Sequence, residues 1–383
     1  MVRQFFQSIS LRPDDPAARD YVSLVVLLVA TALFQRLATA AVWLVSESIP
    51  DPLDPRLVGA VVYATLAFAA LVIVFTLFRR RRPARDPLDA FEWRFVGAIT
   101  FGLLLLGAYL LHGATALPAF PDATVRTLLA GPVALGVPAV LYARAHGFDV
   151  DLSLPDRDAR WVAVVTGLVA ALGGVTVWIV SVLATGTGPL NPNLVDPAST
   201  FSAGTWLASV VFPVLFGGLG WGLLYNGAVQ PLLRERLGPD GAVAGVTTFL
   251  SLVWWSSPGT ARMDGPLAVT VALVGGVLLP LLVALLVAWG IGSARRSSDR
   301  ERRPAVAALV GVLPVSLVVA VTFATGTFQT ALLSWGLGYA IAAAAACVGA
   351  ARSRSLWVPI AAYTMFGLLT DLHVARLLTP LLP

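Results

Sequence analysis

The chain alternates between long apolar runs and short stretches that are polar or rich in proline and glycine. An α-helix needs about 20 apolar residues to cross ~30 Å of hydrocarbon, so each run of that length predicts a membrane span. Eleven runs qualify, of which the seventh is the weakest at about fifteen residues. They lie near residues 22–45, 57–78, 95–114, 127–144, 161–184, 204–226, 241–255, 266–291, 304–324, 328–350 and 356–371.

The amino-acid composition also supports a membrane protein. Of the 383 residues, 57% are hydrophobic and 12% are charged, whereas about a quarter of the residues of a soluble domain are charged. We therefore expect an all-α, polytopic transmembrane helical bundle. The first 20 residues contain no apolar run typical of a cleaved signal peptide, so we expect the first apolar run to remain as a helix.

The arginines predict the orientation of this bundle. All 26 basic residues are arginine; 21 of them precede the first span or follow the second, fourth, sixth, eighth and tenth, while four lie in the alternate loops. Because cytoplasmic loops retain basic residues, this pattern predicts about 11 spans with the amino terminus inside and the carboxyl terminus outside. We place the protein in the plasma membrane as a multi-pass protein. The net charge of +5 then reflects loop arginines, and we expect no nucleic-acid partner.

Ionisable residues are scarce in the spans. Arg36 is the only clear case at depth, and we interpret it as facing a polar cleft or snorkelling, with an anion site as the alternative. His112, His146 and His373 are far apart and lack the HExxH spacing, and Cys347 is the single cysteine, within an apolar run. We therefore predict no metal site, no disulfide within the chain and no cofactor.

Serine and glycine patterns favour structural roles. No GxSxG elbow, phosphate-binding loop or dinucleotide fingerprint is present. The span serines Ser209, Ser251 and Ser316 are expected to bond to carbonyls one helical turn earlier. Four glycines form a small-residue face that predicts close helix packing: Gly217, Gly218, Gly220 and Gly222.

Two segments carry a more specific pattern. Residues 220–255 read GWGLLYNGAVQPLLRERLGPDGAVAGVTTFLSLVWW, and residues 355–369 read SLWVPIAAYTMFGLL. Together they resemble the core of the CAAX protease and bacteriocin-processing family of intramembrane proteases, over about residues 200–370. That family carries an EExxxR motif, a Gln-Pro-Leu-Leu-like stretch, Leu-Gly-Pro, an FxxxH helix and a closing HxxxN or HxxxD helix. The resemblance implies an N-terminal membrane region of about five spans over residues 1–200 and a CAAX-protease-like membrane core over residues 201–383.

The chain departs from the family pattern at every catalytic position. In the frame fixed by Leu237–Gly238–Pro239, the motif residues fall on Trp221, Gly222, Asn226, Leu250, Trp254, Tyr363 and Gly367. A frame one helical turn earlier moves the glutamates to Gly217 and Gly218. None of these side chains can take a proton from water, so we predict no catalytic residue. We expect Trp221, Trp254 and Tyr363 to fill the former active site, rather than to line a ligand pocket.

The resemblance implies a non-hydrolytic homologue of the CAAX prenyl endopeptidases. Its expected partners are membrane lipids, a prenylated peptide or another membrane protein. The alternative is a transporter or permease for an uncharged or amphipathic solute, since the spans lack the carboxylates typical of ion coupling. An active protease with an unfamiliar site is the third interpretation.

Overall fold

The structure is a computed structural model that describes residues 20–29, 31–32, 129–148, 150–185, 210–260, 277–296 and 326–370. Every regular element within these ranges is helical, which confirms the all-α class. The helices are α1 (Asp20–Val29), α2 (Val137–His146), α3 (Arg160–Thr185), α4 (Phe212–Trp221), α5 (Gln230–Thr260), α6 (Leu279–Arg296), α7 (Gly326–Ser353) and α8 (Trp357–Thr370).

Two π-helical stretches of eight residues each extend this set. Leu129–Gly136 leads into α2, and Gly222–Val229 joins α4 to α5. Each stretch has a proline in it or just after it: Pro132 lies within the first, and Pro231 follows the second by two residues. A proline ring displaces the carbonyl four residues earlier, and a widened turn relieves that clash.

Three helical stretches are long and apolar enough to cross a membrane: Arg160–Leu183, Phe212–Val253 and Ser334–Ser353. The first also exposes a continuous apolar face, on which Leu168, Leu172 and Leu183 are 59%, 61% and 82% exposed. Leucines at this spacing form one side of a helix, and exposing them to lipid costs nothing. The coarse prediction of a multi-pass membrane protein therefore agrees with the helices.

The second stretch is a helical hairpin rather than one straight helix. Gly238 has φ +82° and ψ 172°, outside the helical region. A Cβ on Gly245 would lie 3.0 Å from the side chain of Leu233, and the rings of Tyr225 and Phe249 have centroids 6.0 Å apart. A straight helix would separate the latter pair by about 36 Å. The chain therefore reverses at Gly238 and runs back along itself.

The hairpin corrects one expectation from the sequence. The sixth span was predicted to end near residue 226, with a polar linker to residue 241. Instead, the helix continues through the polar residues to the reversal at Gly238. Leu232, Leu233 and Leu237 are buried along one face of this extension, so their packing maintains the helix.

Several helix ends meet at one end of the bundle, which we call the arginine-rich end. Asp20 at the start of α1 pairs with Arg236, which precedes the reversal, and lies 3.7 Å from His146 at the end of α2. A Cβ on Gly292, near the end of α6, would clash with the backbone of Leu237. These contacts place the ends of four helical stretches side by side.

The connection between α7 and α8 contacts the loop between α2 and α3. The N–H of Leu356 donates to the carbonyl of Asp151 at 3.0 Å, and the indole N–H of Trp357 donates to the carbonyl of Leu152 at 2.7 Å. The hydroxyl of Ser355 donates to the carbonyl of Ser153 at 2.6 Å. The start of α8 therefore lies at the same end as the start of α3.

Close packing of α4 on its neighbours depends on glycine. A Cβ on Gly220 would lie 2.6 Å from backbone atoms of Gly131, and one on Gly218 would lie 2.9 Å from the carbonyl oxygen of Ile360. Only residues without a side chain allow such approach. The predicted packing role is confirmed for Gly218, Gly220 and Gly222, whereas Gly217 has nothing within 4 Å of its would-be Cβ.

The remaining predicted spans agree to different extents. The predicted runs at 161–184, 328–350 and 356–371 correspond to α3, α7 and α8 within three residues at each end. The second, third and ninth runs lie outside the described residues. The boundary proposed at residue 200 also lies outside them and stays a prediction.

Candidate functional site

The residues that the motif pattern assigns to catalytic positions lie on four elements: α4, the π-helical stretch that follows it, α5 and α8. Trp221 ends α4, and Gly222 and Asn226 lie in the π-helical stretch that follows; Tyr363 and Gly367 lie on α8. The structure brings Trp221 and Tyr363 into edge contact, with ring centroids 5.8 Å apart and planes at 66°.

The two glycines at these positions serve helix packing. A Cβ on Gly222 would lie 3.1 Å from the backbone nitrogen of Ile360, and one on Gly367 would lie 2.8 Å from the side chain of Val214. Trp254 lies on the second arm of the hairpin, and its side chain lies outside the described residues.

Around Trp221 and Tyr363 the structure assembles an aromatic cluster. Tyr339 of α7 stacks on Trp221 with ring centroids 5.0 Å apart and packs against Phe366 of α8 at 4.5 Å. Each such pair contributes about 0.5–1.5 kcal/mol beyond its buried area. The cluster comprises Trp221, Tyr225, Phe249, Trp335, Tyr339, Tyr363 and Phe366.

Beside the aromatic cluster lies an amide cluster of Asn226, Gln230 and Cys347. The side-chain amide of Gln230 donates to the backbone carbonyl of Cys347 at 2.9 Å. The amide of Asn226 donates to Gln230 Oε1 at 2.8 Å and to Cys347 Sγ at 3.4 Å. All three side chains are buried.

The hydrogen bonds of this cluster determine the orientation of both amides. The Cys347 carbonyl can only accept, so the nitrogen of Gln230 must face it. Gln230 Oε1 then faces Asn226 and must receive the Asn226 nitrogen. Asn226 Oδ1 is therefore directed away from both partners, and it is a buried oxygen with no hydrogen-bond partner among the described residues.

The π-helical stretch keeps Asn226 inside the bundle. Seven of its eight residues are buried, and Asn226 itself is 4% exposed. Widened turns of this kind are frequent at functional sites because they displace side chains from the regular helical face. This local geometry makes an amide in an apolar helix a candidate for ligand binding.

The two clusters offer hydrogen bonding and ring surfaces, without a group that exchanges protons near neutral pH. Peptide hydrolysis requires a base to activate water or a nucleophile. Within the ranges that the structure describes, no group of three or more His, Cys, Asp or Glu residues could hold a metal ion. The arrangement is suited to binding an uncharged molecule.

No known protein-family model, curated protein or solved structure matches the chain. The resemblance to the intramembrane proteases therefore rests only on the sequence motifs in residues 220–255 and 355–369.

A second polar cluster lies at the arginine-rich end. Arg236 Nε donates to Asp20 Oδ2 at 2.8 Å, while Asp20 Oδ1 is 3.7 Å from His146 Nε2. Ser23 Oγ is 2.9 Å from the Tyr142 hydroxyl and 3.4 Å from His146 Nε2. These residues connect α1, α2 and the hairpin.

Although this cluster contains serine, histidine and aspartate, it lacks the geometry of a catalytic triad. A triad histidine contacts the serine and the carboxylate through different ring nitrogens. Here Asp20 and Ser23 both approach Nε2 of His146, and Nδ1 faces the carbonyl of Tyr142 at 3.1 Å. Ser23 is also 2% exposed. The cluster joins three helix ends.

Sequence reasoning missed most of these partners. Gln230 follows Asn226 by four residues, so the two amides share a helix face, and that spacing was an available signal. The pairing with Cys347 had no such signal, because it joins residues 117 and 121 positions apart.

Ser251 has the structural role that the sequence predicts, but its hydrogen bond goes to a different partner. Ser251 Oγ donates at 2.9 Å to the carbonyl of Gly336 on α7, rather than to its own helix. The small glycine lets the two helices approach, so the hydroxyl reaches across. Several other candidates lie outside the described residues: Arg36, His112, Ser209, Ser316 and His373.

Proposed function

We propose that the protein is a non-hydrolytic membrane homologue of the CAAX-type intramembrane proteases that binds an uncharged amphipathic molecule of the bilayer, such as a lipid or a prenylated peptide. One observation carries this proposal: three of the motif positions, Trp221, Asn226 and Tyr363, belong to an aromatic cluster and a buried amide cluster that lie side by side. Trp221 and Tyr363 are in ring contact there, and Asn226 is buried one helical turn from Trp221.

The chemistry of these side chains supports binding without hydrolysis. The amide of Asn226 can orient a carbonyl or a hydroxyl, but an oriented carbonyl without a base or nucleophile gains only part of the acceleration that hydrolysis needs. Aromatic rings offer large apolar surface for an acyl or prenyl chain. A formal charge in the ligand would find no opposite charge in either cluster.

We also propose eleven spans in the plasma membrane with the amino terminus in the cytoplasm. The directions of the described helices support an alternating topology. Gly131 and Gly136 contact α4 and the π stretch in parallel order, and α8 runs antiparallel to the same stretch. The helix termini that meet at the arginine-rich end are the ones that the arginine pattern predicts to face the cytoplasm.

Two engineered cysteines test this topology. In a Cys347→Ala background, Ser298→Cys and Asn191→Cys should react with an impermeant thiol reagent from opposite faces of sealed vesicles. Labelling of both from the same face would contradict the eleven-span arrangement.

A photoreactive farnesylated CAAX peptide tests the binding function. We expect the purified full chain to be crosslinked to the peptide and to leave it uncleaved, as judged by mass spectrometry. An unlipidated peptide of the same sequence is the matched control and should not be crosslinked. Cleavage that is abolished by Asn226→Ala would overturn the non-hydrolytic proposal.

A further inference from the structure

Two buried oxygens in the centre of the bundle have no hydrogen-bond partner among the described residues: Asn226 Oδ1 and the hydroxyl oxygen of Tyr363. Both residues are 4% exposed. Buried polar atoms are nearly always paired, and hydrocarbon offers no water to replace a missing partner. An unpaired acceptor and an unpaired hydroxyl in one apolar core therefore point to a ligand.

The two oxygens belong to one neighbourhood. The ring of Tyr363 contacts Trp221, which precedes Asn226 by five residues on the same helical stretch. Asn226 contacts the sulfur of Cys347. A Cβ on Gly222, four residues before Asn226, would lie 3.1 Å from the backbone nitrogen of Ile360, three residues before Tyr363. The two oxygens thus come from helices that pack face to face, α8 and the π stretch.

The donors and acceptors define the ligand's polar group. Asn226 Oδ1 can only accept, so its partner must carry an O–H or N–H. The Tyr363 hydroxyl can donate or accept. A single alcohol group satisfies both, because it can donate to Asn226 and accept from Tyr363.

The surroundings define the rest of the ligand. The neighbouring side chains are aromatic or neutral: Trp221 is in ring contact with Tyr225, Tyr339 and Tyr363. A carboxylate or phosphate would be desolvated without a counter-charge, whereas an alkyl chain would gain ring contacts. Since the bundle is a membrane protein, the ligand can enter from the lipid.

We propose that Asn226 Oδ1 and the Tyr363 hydroxyl bind the hydroxyl group of a neutral lipid alcohol, with its apolar chain against the aromatic cluster. This inference rests on the proposed function and specifies its ligand: an uncharged lipid that carries a hydrogen-bond donor. A lipid ether or ester of the same shape leaves Asn226 Oδ1 unpaired and binds more weakly.

The test uses a matched pair of probes, an 18-carbon alcohol with a photoreactive diazirine and its methyl ether. Both are added to the full chain in mild detergent, and crosslinked peptides are mapped by mass spectrometry. We expect the alcohol to label the segments around residues 221–226 and 363 about tenfold more than the ether does, because loss of one buried hydrogen bond is worth about that factor.

Two variants and one control connect this preference to the two oxygens. Asn226→Leu should abolish the preference for the alcohol, because it removes the acceptor that only the alcohol can use. Tyr363→Phe should weaken labelling by both probes and retain the preference, because an ether oxygen can also accept from the Tyr363 hydroxyl. Tyr142→Phe removes a buried hydroxyl that pairs with Ser23 and should leave the preference unchanged. In lipid-free protein, Tyr363→Phe should leave the melting temperature unchanged or raise it, since it removes an unpaired polar atom. That result separates ligand binding from a structural role.

The outcomes distinguish this inference from the proposed function. Equal labelling by alcohol and ether overturns the hydroxyl assignment but retains lipid binding. Labelling by neither probe, while the farnesylated peptide is still crosslinked, also overturns the assignment alone. Failure of all three probes overturns both proposals.

Discussion

The arginine-rich end and the centre of the bundle each hold a hydrogen-bonded set of polar side chains, but only the first set is charged. At the arginine-rich end, Asp20 lies between Arg236 and His146, and the side chains of the Asp20–Arg236 pair are 17% and 29% exposed. In the centre, Asn226 and Gln230 pair through neutral amides at 5% exposure or less.

This difference follows from the cost of desolvation. A charge at a partly exposed helix end retains part of its hydration, whereas burying it in the centre costs several kcal/mol unless it is fully compensated. Neutral amides cost less to bury than charges do. In the low dielectric of the centre, however, each amide atom without a hydrogen-bond partner is more destabilising than it would be near water. We therefore expect the centre to be sensitive to loss of any contact, and the arginine-rich end to be sensitive mainly to salt and charge.

The largest expected effect is at the aromatic cluster. Tyr339→Ala removes a buried ring that contacts Trp221, Trp335 and Phe366. We expect the free energy of unfolding in detergent to fall by about 3–5 kcal/mol, from lost contacts and the residual cavity. Trp161→Ala is the control, because that ring is 70% exposed, and it should change stability by less than about 0.5 kcal/mol. Equal losses would show that the cluster is not a packed core.

The amide network should give the next effect. Gln230→Met retains the side-chain length and removes the bonds to Asn226 and to the Cys347 carbonyl. The Asn226 amide and the Cys347 carbonyl then lose a hydrogen-bond partner. We expect the free energy of unfolding to fall by about 1–3 kcal/mol in the same assay. Glu235→Met makes a similar change on an exposed position of the same helix and should be nearly neutral. A neutral Gln230→Met would mean that the network contributes no net stability.

At the arginine-rich end we expect a smaller effect. Arg236→Gln removes the guanidinium from Asp20, and for a pair that water reaches this should cost about 1 kcal/mol at low salt and less at high salt. Arg234→Gln, at an exposed position on the same turn, is the matched control. If the loss is independent of ionic strength, the contact acts through packing rather than charge.

The smallest effect concerns the loop before α3. The hydroxyl and backbone N–H of Ser153 hold the pKa of Asp151 below its ordinary value of 3.8. A lowered folded-state pKa stabilises the protein fully above pH 3.8, and this contribution disappears as the pH falls through the folded pKa. The stability difference between the native chain and Asp151→Asn should therefore shrink in acid. A difference that is constant across this range would contradict the assignment.

How well the sequence predicted each region depends on how local the deciding interaction is. The apolar runs of α3 and α8 were recognisable because hydrophobic length is a property of consecutive residues. The continuation of the helix to Gly238 was missed because its polar residues were interpreted as a linker. Leu232 and Leu237 are buried along this continuation, and their packing maintains the helix. Periodicity alone did not reveal that packing.

For the candidate site, the sequence by itself determined which side chains stand at the motif positions of the resemblance, and so which chemistry Trp221, Asn226 and Tyr363 can perform. Only the tertiary structure decided which polar atoms are paired. Gln230 meets Cys347 across 117 residues, and that contact orients Asn226 so that its oxygen has no partner among the described residues. Hydrogen bonds between helices depend on atomic positions within a few tenths of an ångström, and close packing of the bundle determines those positions.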